Sequence, residues 1–310
     1  MQEEWPSLPL ASWKETYFTF HRWTQVVGKV MLDLTPLQNH FWNAALRVSA
    51  RGLATGAMPH RGGLLELEFD LVDGKLELRT SGGERKSLPL GSILPVADFH
   101  DGCLSLLRSV GAAPRIDPRP CEIAEEALPL DADRIHRRFD LEAARTWWRI
   151  LISSARVLDR FRSRFVGKCS PVLFWWGSFD LACTRFSGRR APPPPKADAI
   201  HREAYSHEQI SAGIWPGTEE LGGPAFYAYA VPAPPGLSQQ RVEPDAAFWH
   251  AGLGEWILPW EAVRAARDPA AELLAFLEST YRSAAILARW DRAALERAPA
   301  EGEAERAARQ

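Results

Sequence analysis

Apolar and polar residues alternate along two aromatic stretches of the chain, and this period of two predicts strands. The first stretch is HFWNAALRVS at residues 40–49, and the second is VLFWWGSFDLACTRF at residues 172–186. Because successive side chains of a strand point to opposite faces, each stretch presents a more apolar face and a more polar one. The polar face of the second stretch carries Ser178, Asp180 and Thr184.

Apolar residues at spacings of three and four predict helices in four other regions. Pro36 ends the first of these helices, because proline cannot continue a helix. The predicted helices cover residues 13–30, 96–110, 131–165 (as two helices broken near residue 140) and 269–290.

Turn signals predict hairpins in both halves of the chain. Asp73-Gly74 joins the alternating runs 64–72 and 75–80, and it is a strong signal for a two-residue hairpin turn. Glycines near residue 252 divide the run 248–258 in the same way, and residues 226–231 form a further predicted strand. Because hairpins are antiparallel, the whole pattern predicts an α+β fold.

The two aromatic stretches indicate an internal duplication. Phe41-Trp42 and Phe174-Trp175 lie 133 positions apart, and each pair follows a helical stretch that ends in Val-Gly-Lys. Each pair is followed later by strand-like runs, a Leu-Pro pair and another helical run. We therefore predict two tandem pseudo-repeats of α-β-β-β-α type with mainly antiparallel sheets.

This duplication divides the chain into four predicted parts. Only the second repeat contains an insertion, so something other than symmetric folding requires that segment. The parts are a first α+β repeat at 1–113, a Pro-rich connector at 114–130, a second α+β repeat at 131–299 with the insertion at 191–223, and a charged tail at 300–310.

Composition and charge exclude several classes of function. The formal net charge of −2 leaves no basic excess to neutralise phosphates, so we expect no nucleic-acid partner. The sequence has no apolar run of ~18 residues and no secretory signal after its acidic N-terminus, so we expect no membrane partner. Four single cysteines without a C-x-x-C pair favour reduced thiols and a cytoplasmic location.

The chain contains 13 tryptophans, which is its most unusual compositional feature. A tryptophan buries a large area and needs a partner for its N–H group, so most fill cores while a few can line a ligand pocket. The tryptophans of the two aromatic stretches are our candidates for ligand binding. They are Trp42, Trp175 and Trp176.

Asp180 is a charged residue within an aromatic strand. Such a charge is costly to bury unless it is paired. Under the duplication Asp180 corresponds to Arg47 of the first stretch. Two interpretations stay open, namely a structural ion pair between these two residues and an Asp180 that points into a cleft as a general base.

The segment HREAYSHEQ, residues 201–209, is rich in side chains that can bind metals. His201, His207 and Glu208 are the candidate ligands for a divalent metal, although no H-E-x-x-H signature accompanies them. The alternative is a solvated segment whose charges serve in caps and ion pairs. The cofactor is therefore left unknown.

Arg185 is a candidate for binding an anionic group, because a guanidinium matches the geometry of a carboxylate or phosphate. Exposed arginines in loops are equally ordinary. The common nucleotide-binding and hydrolase motifs are absent from the sequence, so neither a substrate nor a reaction follows from motifs.

Several long strings resemble an uncharacterised bacterial family, domain of unknown function 5996. They are FVGKCSPVLFWWGSFDLACTRFSGRRAPPPP, REAYSHEQISAGIWPG, PAFYAYAVP, ILPWEAVR and, near the N-terminus, WPSLPLASWKETYFTFHRWTQVVGK. The resemblance covers nearly the whole chain up to about residue 290 and implies no activity. It marks residues 177–181 and 205–208 as signature segments. The candidates that follow from it are Asp180, His207 and Glu208 within these segments, and Arg185 shortly after the first.

We therefore expect a cytoplasmic enzyme or small-molecule binder with a pocket at the seam of the two repeats. The alternative is a non-catalytic scaffold or interaction module that holds a partner with its Pro-rich link and aromatic surfaces. The residues assigned to the pocket are Trp42, Trp175, Trp176 and Arg185 for ligand binding, and Asp180, His207 and Glu208 for catalysis, with His201, His207 and Glu208 as metal ligands.

Overall fold

The structure is a computed structural model, and it describes residues 4–123, 127–192 and 199–297. The charged tail at 300–310 and most of the proline run at 192–195 lie outside these ranges. The described residues form a mixed α+β fold with seven α-helices and two antiparallel sheets. None of the helices in the described ranges is long and apolar enough to span a bilayer.

The first half of the chain forms a six-stranded sheet and two helices that contact each other and pack on it. Its strands have the order β1-β2-β4-β5-β6, and β3 pairs with β4 off this path. The elements are α1 (Leu10–Leu34), a 3₁₀ helix (Asn39–Phe41), β1 (Arg47–Val48), β2 (Gly52–Ala54), β3 (Met58–His60), β4 (Gly63–Asp70), β5 (Lys75–Thr80), β6 (Arg85–Pro89) and α2 (Val96–Arg108).

The second half forms another six-stranded sheet, with the order β11-β12-β10-β9-β8-β7. Its elements are α3 (Leu141–Ser163), β7 (Leu173–Trp175), β8 (Asp180–Arg190), α4 (Ala199–Ala204), β9 (His207–Trp215), β10 (Ala225–Val231), a second 3₁₀ helix (Leu237–Gln239), β11 (Phe248–His250), β12 (Glu255–Pro259), α5 (Trp260–Arg264), α6 (Pro269–Leu287) and α7 (Arg292–Leu295).

Local sequence explains where the two long helices of the second half begin. Asp140 caps α3, and its carboxylate accepts hydrogen bonds from the amides of Glu142 and Ala143. Asp268 caps α6 in the same way and is followed by Pro269 at the first helical position, where its missing N–H is no loss.

One continuous core joins the two halves. Helices α1 and α2 pack on the first sheet, and α3 and α6 pack on the second. Trp13 of α1 meets Trp147 of α3 with ring centroids 5.4 Å apart. The edge strands β1 and β7 also touch, because Leu46 and Phe174 exchange backbone hydrogen bonds of 2.9 and 2.8 Å.

The prediction of a strand over residues 40–49 is wrong for most of its length. His40 and Phe41 adopt φ angles of 53° and 59° in the 3₁₀ helix, which a strand does not allow, and only residues 47–48 form β1. Phe41 therefore lies in a helix turn while Phe174 lies in β7. The tandem pseudo-repeat stays a prediction.

Two smaller predictions also differ from the structure. Residues 131–140 are not helical, because the Asp133 carboxylate accepts the amides of Ile135 and His136 and folds the chain locally. The turn between β4 and β5 has four residues rather than two, since Asp70 pairs with Lys75. The predicted insertion at 191–223 contains β9, which lies between β8 and β10 within the sheet, and the division of the chain into repeats stays a prediction.

Candidate functional site

A cavity of about 350 Å³ lies against one face of the second sheet. Three neighbouring strands form its floor, and alternate residues of each strand point into it, as the period of two requires. These residues are Asp180, Ala182, Thr184 and Phe186 of β8, Gln209 and Ser211 of β9, and Tyr227 and Tyr229 of β10.

The opposite face of the same strands is an apolar core surface covered by α3 and α6. The residues between the cavity-lining ones are buried there, and they include Leu181, Cys183, Ile210, Ala212, Phe226 and Ala228. The sheet therefore has one face that packs conventionally and one face where aromatic and polar side chains surround an open volume.

His40 holds together the two short helices at the rim of the cavity. Its backbone N–H donates to Glu203 Oε1 of α4 at 3.0 Å. Its Nδ1 lies 3.0 and 3.1 Å from the carbonyl oxygens of Glu203 and Ala204, so Nδ1 carries the proton and Nε2 is left as an acceptor.

Lys168 supplies the donor for that acceptor. Its Nζ lies 2.6 Å from His40 Nε2 and also 5.6 and 5.1 Å from the ring centroids of Trp42 and Phe186. Burial, with the charge of Lys168, lowers the pKa of His40, and burial lowers the pKa of Lys168. Lys168 therefore serves to position His40 and the rim.

The three predicted tryptophans all line the cavity. Trp42 and Trp175 are half-buried, whereas Trp176 is buried and its Nε1 donates to the Ala44 carbonyl at 2.6 Å. The Trp176 ring lies directly against Gly28 of α1, where an added Cβ would come within 2.2 Å of it. Only glycine allows this contact between helix and indole.

Asp180 is the buried carboxylate of the cavity floor, with 6% of its surface exposed. Its Oδ1 accepts a hydrogen bond of 2.5 Å from the Ser178 hydroxyl, and its Oδ2 accepts one from the Tyr227 hydroxyl. Burial raises the pKa of Asp180 to about 6, and the nearby Glu122 adds to the rise although the two hydroxyls oppose it.

Two further carboxyl groups lie close to Asp180. Glu122 lines the cavity, and its carboxylate packs on Gly177, where an added Cβ would come within 2.7 Å of Oε1. Glu255 begins β12, the strand beside β10, and burial raises its pKa to about 7 with a further rise from Asp180. This end of the cavity is therefore acidic.

Two residues of α1 that the sequence pattern did not single out position the loops behind Asp180. His21 Nε2 lies 2.8 Å from the Gly177 carbonyl, and burial lowers the pKa of His21 to about 4. Gln25 exchanges hydrogen bonds of 2.7 and 3.0 Å with the backbone of Cys121. Their polar character on a buried helix face was the available signal.

The structure does not bring Arg185 to the cavity. Its side chain is 1% exposed on the opposite sheet face, where its guanidinium lies 3.4 Å from the Phe161 ring centroid and 4.3 Å from that of Tyr281. Its Nη2 donates to the Phe161 carbonyl. Arg185 thus joins the sheet to α3 and α6.

Asp180 is not paired with Arg47, which is exposed on β1. The proposed metal ligands are also separated. His201 lines the cavity, His207 has its ring 5.7 Å from that of His40 at the rim, and Glu208 forms an ion pair of 2.6 Å with Arg189. Within the described ranges, no group of three or more His, Cys, Asp or Glu residues is arranged to hold a metal ion.

Fold and site together define an α+β protein with an acidic, aromatic pocket on the face of an antiparallel sheet. The chain belongs to a family of unknown function, DUF5996, whose model matches residues 5–297. This confirms the resemblance seen in the sequence. Comparison with curated proteins and with solved structures found no match.

Proposed function

We propose that the protein binds a small organic molecule in this pocket and that Asp180 anchors the molecule by accepting a proton or hydrogen bond from it. The observation that carries the proposal is the buried Asp180 carboxylate on the floor of an aromatic cavity. Burying a carboxylate costs stability, and cleft residues with shifted pKa values are typical of functional sites. Binding explains why that cost is retained.

Backbone strain around the same cavity supports the proposal. The described ranges contain six non-glycine residues with positive φ; His40, Phe41 and Glu122 line the cavity, and Phe179 directly precedes Asp180. A left-handed non-glycine residue costs of order 1–3 kcal/mol, and such residues cluster at ligand and active sites. Four of these six strained residues therefore lie in or next to the lining of the cavity.

The dimensions and the polar groups of the cavity also suit a small ligand. Its volume of about 350 Å³ falls in the range of roughly 300–1,000 Å³ that small-molecule sites occupy. Thr184 and Ser211 hold their hydroxyls 2.9 Å apart on the floor, between aromatic walls. A few fixed polar groups within apolar walls are what orient a ligand.

Asp180 has the properties of a proton acceptor near neutrality. A carboxyl group with a pKa of about 6 is mostly ionised at neutral pH but takes up a proton readily. Its two hydrogen-bond donors, Ser178 and Tyr227, hold the carboxylate in one orientation. Once a molecule is bound, the same geometry also suits Asp180 to act as a general base on it.

We also propose a cytoplasmic location. All four cysteines are free thiols, and Cys169 and Cys183 remain unbonded with their sulfurs 3.6 Å apart. Free thiols at this separation are typical of a reducing compartment.

A fragment screen with two tryptophan variants tests the proposed function. Trp175 on β7 and Trp249 on β11 are half-buried tryptophans on the two edge strands of one sheet, but only Trp175 lines the cavity. We expect ligands found by thermal shift to bind Trp175→Ala about tenfold more weakly, because they lose an aromatic wall. They should bind Trp249→Ala as they bind the unaltered protein.

Ligands that bind both variants equally would contradict this site. A broad library without a single ligand would contradict the proposed function as a whole and favour the scaffold or interaction protein.

A further inference from the structure

We propose that the molecule bound in this pocket carries a positively charged amine and that the amine pairs with Asp180. The inference rests on the proposed function and names the class of ligand. It follows from the sign of the charges that face the cavity and from the chemistry of the walls around them.

Among the described residues, the acidic side chains that line the cavity outnumber the lysines and arginines that do so. Asp180 and Glu122 line it, and among the described residues no lysine or arginine does so. Lys168 at the rim donates its Nζ proton to His40 Nε2, and Lys29 places its Nζ 5.9 Å from the ring centroid of Trp176. Arg185 is turned to the opposite sheet face. An anionic ligand would find neither lysine nor arginine among the described lining residues.

Glu122 and Glu255 each repel Asp180. Glu122 and Asp180 interact unfavourably as charges, and so do Asp180 and Glu255. An ammonium group beside Asp180 would turn this repulsion into attraction, and a hydrogen bond between two charged groups is stronger than one between neutral groups. A cation bound beside Asp180 would therefore relieve the repulsion that Asp180 experiences from its neighbouring carboxylates.

The walls near Asp180 favour the same charge. Trp175 pairs with Asp180 across the β7–β8 hairpin, and the Tyr227 ring stacks on that of Tyr229 with centroids 5.9 Å apart. The face of an aromatic ring carries partial negative charge and attracts ammonium groups. An aliphatic or aromatic body attached to the amine would fill the remaining apolar volume.

Three probes of similar shape and different charge test the inference. They are phenethylamine, phenethyl alcohol and hydrocinnamate, titrated calorimetrically into the protein at a pH above the pKa of Asp180, which is about 6. We expect the amine to bind at least about tenfold more tightly than the alcohol and the carboxylate to bind most weakly.

Asp180→Asn, which keeps the size of the side chain, should reduce the preference for the amine to less than about threefold while binding of the alcohol is retained. Glu122→Gln, at the edge of the same acidic group, should reduce the preference partly and serves as the second variant if Asp180→Asn does not fold.

Equal affinity for amine and alcohol, or tighter binding of hydrocinnamate, would overturn the amine inference. The inference would also be overturned if fragments bound in a way that requires Trp175 but none of the three probes bound. In each of these cases the pocket still binds molecules and the proposed function stands. If no ligand required Trp175 for binding, both the amine inference and the proposed function would be contradicted.

Discussion

At the scale of single residues, the pocket depends on which face of a strand a side chain occupies. Asp180 and Thr184 are even-numbered positions of β8 and share the cavity face, whereas Arg185 is odd-numbered and lies on the core face. The alternation in the sequence already separated these two sets. The guanidinium of Arg185 made it a candidate for binding an anion, but the alternation places it on the core face, and the structure agrees with the alternation.

The raised pKa of Asp180 also predicts how the stability of the folded protein depends on pH. Its pKa is raised from 3.8 to about 6 in the folded protein, so folding favours the protonated form. Below pH 3.8 Asp180 is mainly protonated in both the folded and the unfolded protein, and its burial then costs the folded protein no stability through titration. As the pH rises through 6, the folded state loses stability on the order of 3 kcal/mol relative to the unfolded one.

Asp180→Asn removes this titration. We expect the free energy of unfolding of the variant, relative to the unaltered protein, to be higher at about pH 8 than at about pH 4 by up to that amount. Urea denaturation at the two pH values measures the difference. A difference that is the same at both would show that Asp180 is not strained by its burial.

At the scale of elements, α1 forms the back of the pocket as well as a layer of the core. His21 and Gln25 hold the loops at Gly177 and Cys121, and Gly28 admits the Trp176 ring. The apolar spacing in the sequence predicted the helix, which extends over Leu10–Leu34. It could not reveal these contacts, because they join residues far apart in the chain.

Gly28→Ala tests this contact. The added methyl group would overlap the Trp176 ring, which is already fixed by its bond to Ala44, so we expect a loss of about 1–3 kcal/mol in stability and weaker ligand binding. Gly102→Ala in α2 is the matched control, since its Cβ would meet only the flexible end of Leu88, at 3.0 Å.

Chemical denaturation and ligand titration of both variants give the comparison. Gly102→Ala should change stability by less than Gly28→Ala and leave binding unaltered. If Gly28→Ala behaved like the control, α1 would not be the support of Trp176.

At the scale of the whole molecule, the sequence predicts the fold class but not how distant parts of the chain pack together. Hairpin signals and helical spacing predicted the α+β class and most helices and strands of the second half. The sequence pattern did not predict the rim, because the left-handed His40 is held by Glu203 of α4, a contact between residues distant in the chain. A local pattern cannot encode such a contact.

The seam between the halves is likewise a tertiary feature. The core extends from Leu8 near the N-terminus to Trp290 near the C-terminus, and Leu46 pairs with Phe174 between the two sheets. The cavity lies beside this junction, with Trp42 and Ala44 from the first half and Trp175 and Asp180 from the second among its lining residues. A ligand there would contact both halves.

The most direct test of a ligand site built by both halves is a crystal structure of the protein soaked with the amine that binds most tightly. We expect density for one molecule between Trp175 and Tyr227, with its nitrogen within about 3 Å of an Asp180 carboxylate oxygen. Density at another surface, with the cavity beside Asp180 containing only solvent, would contradict the account.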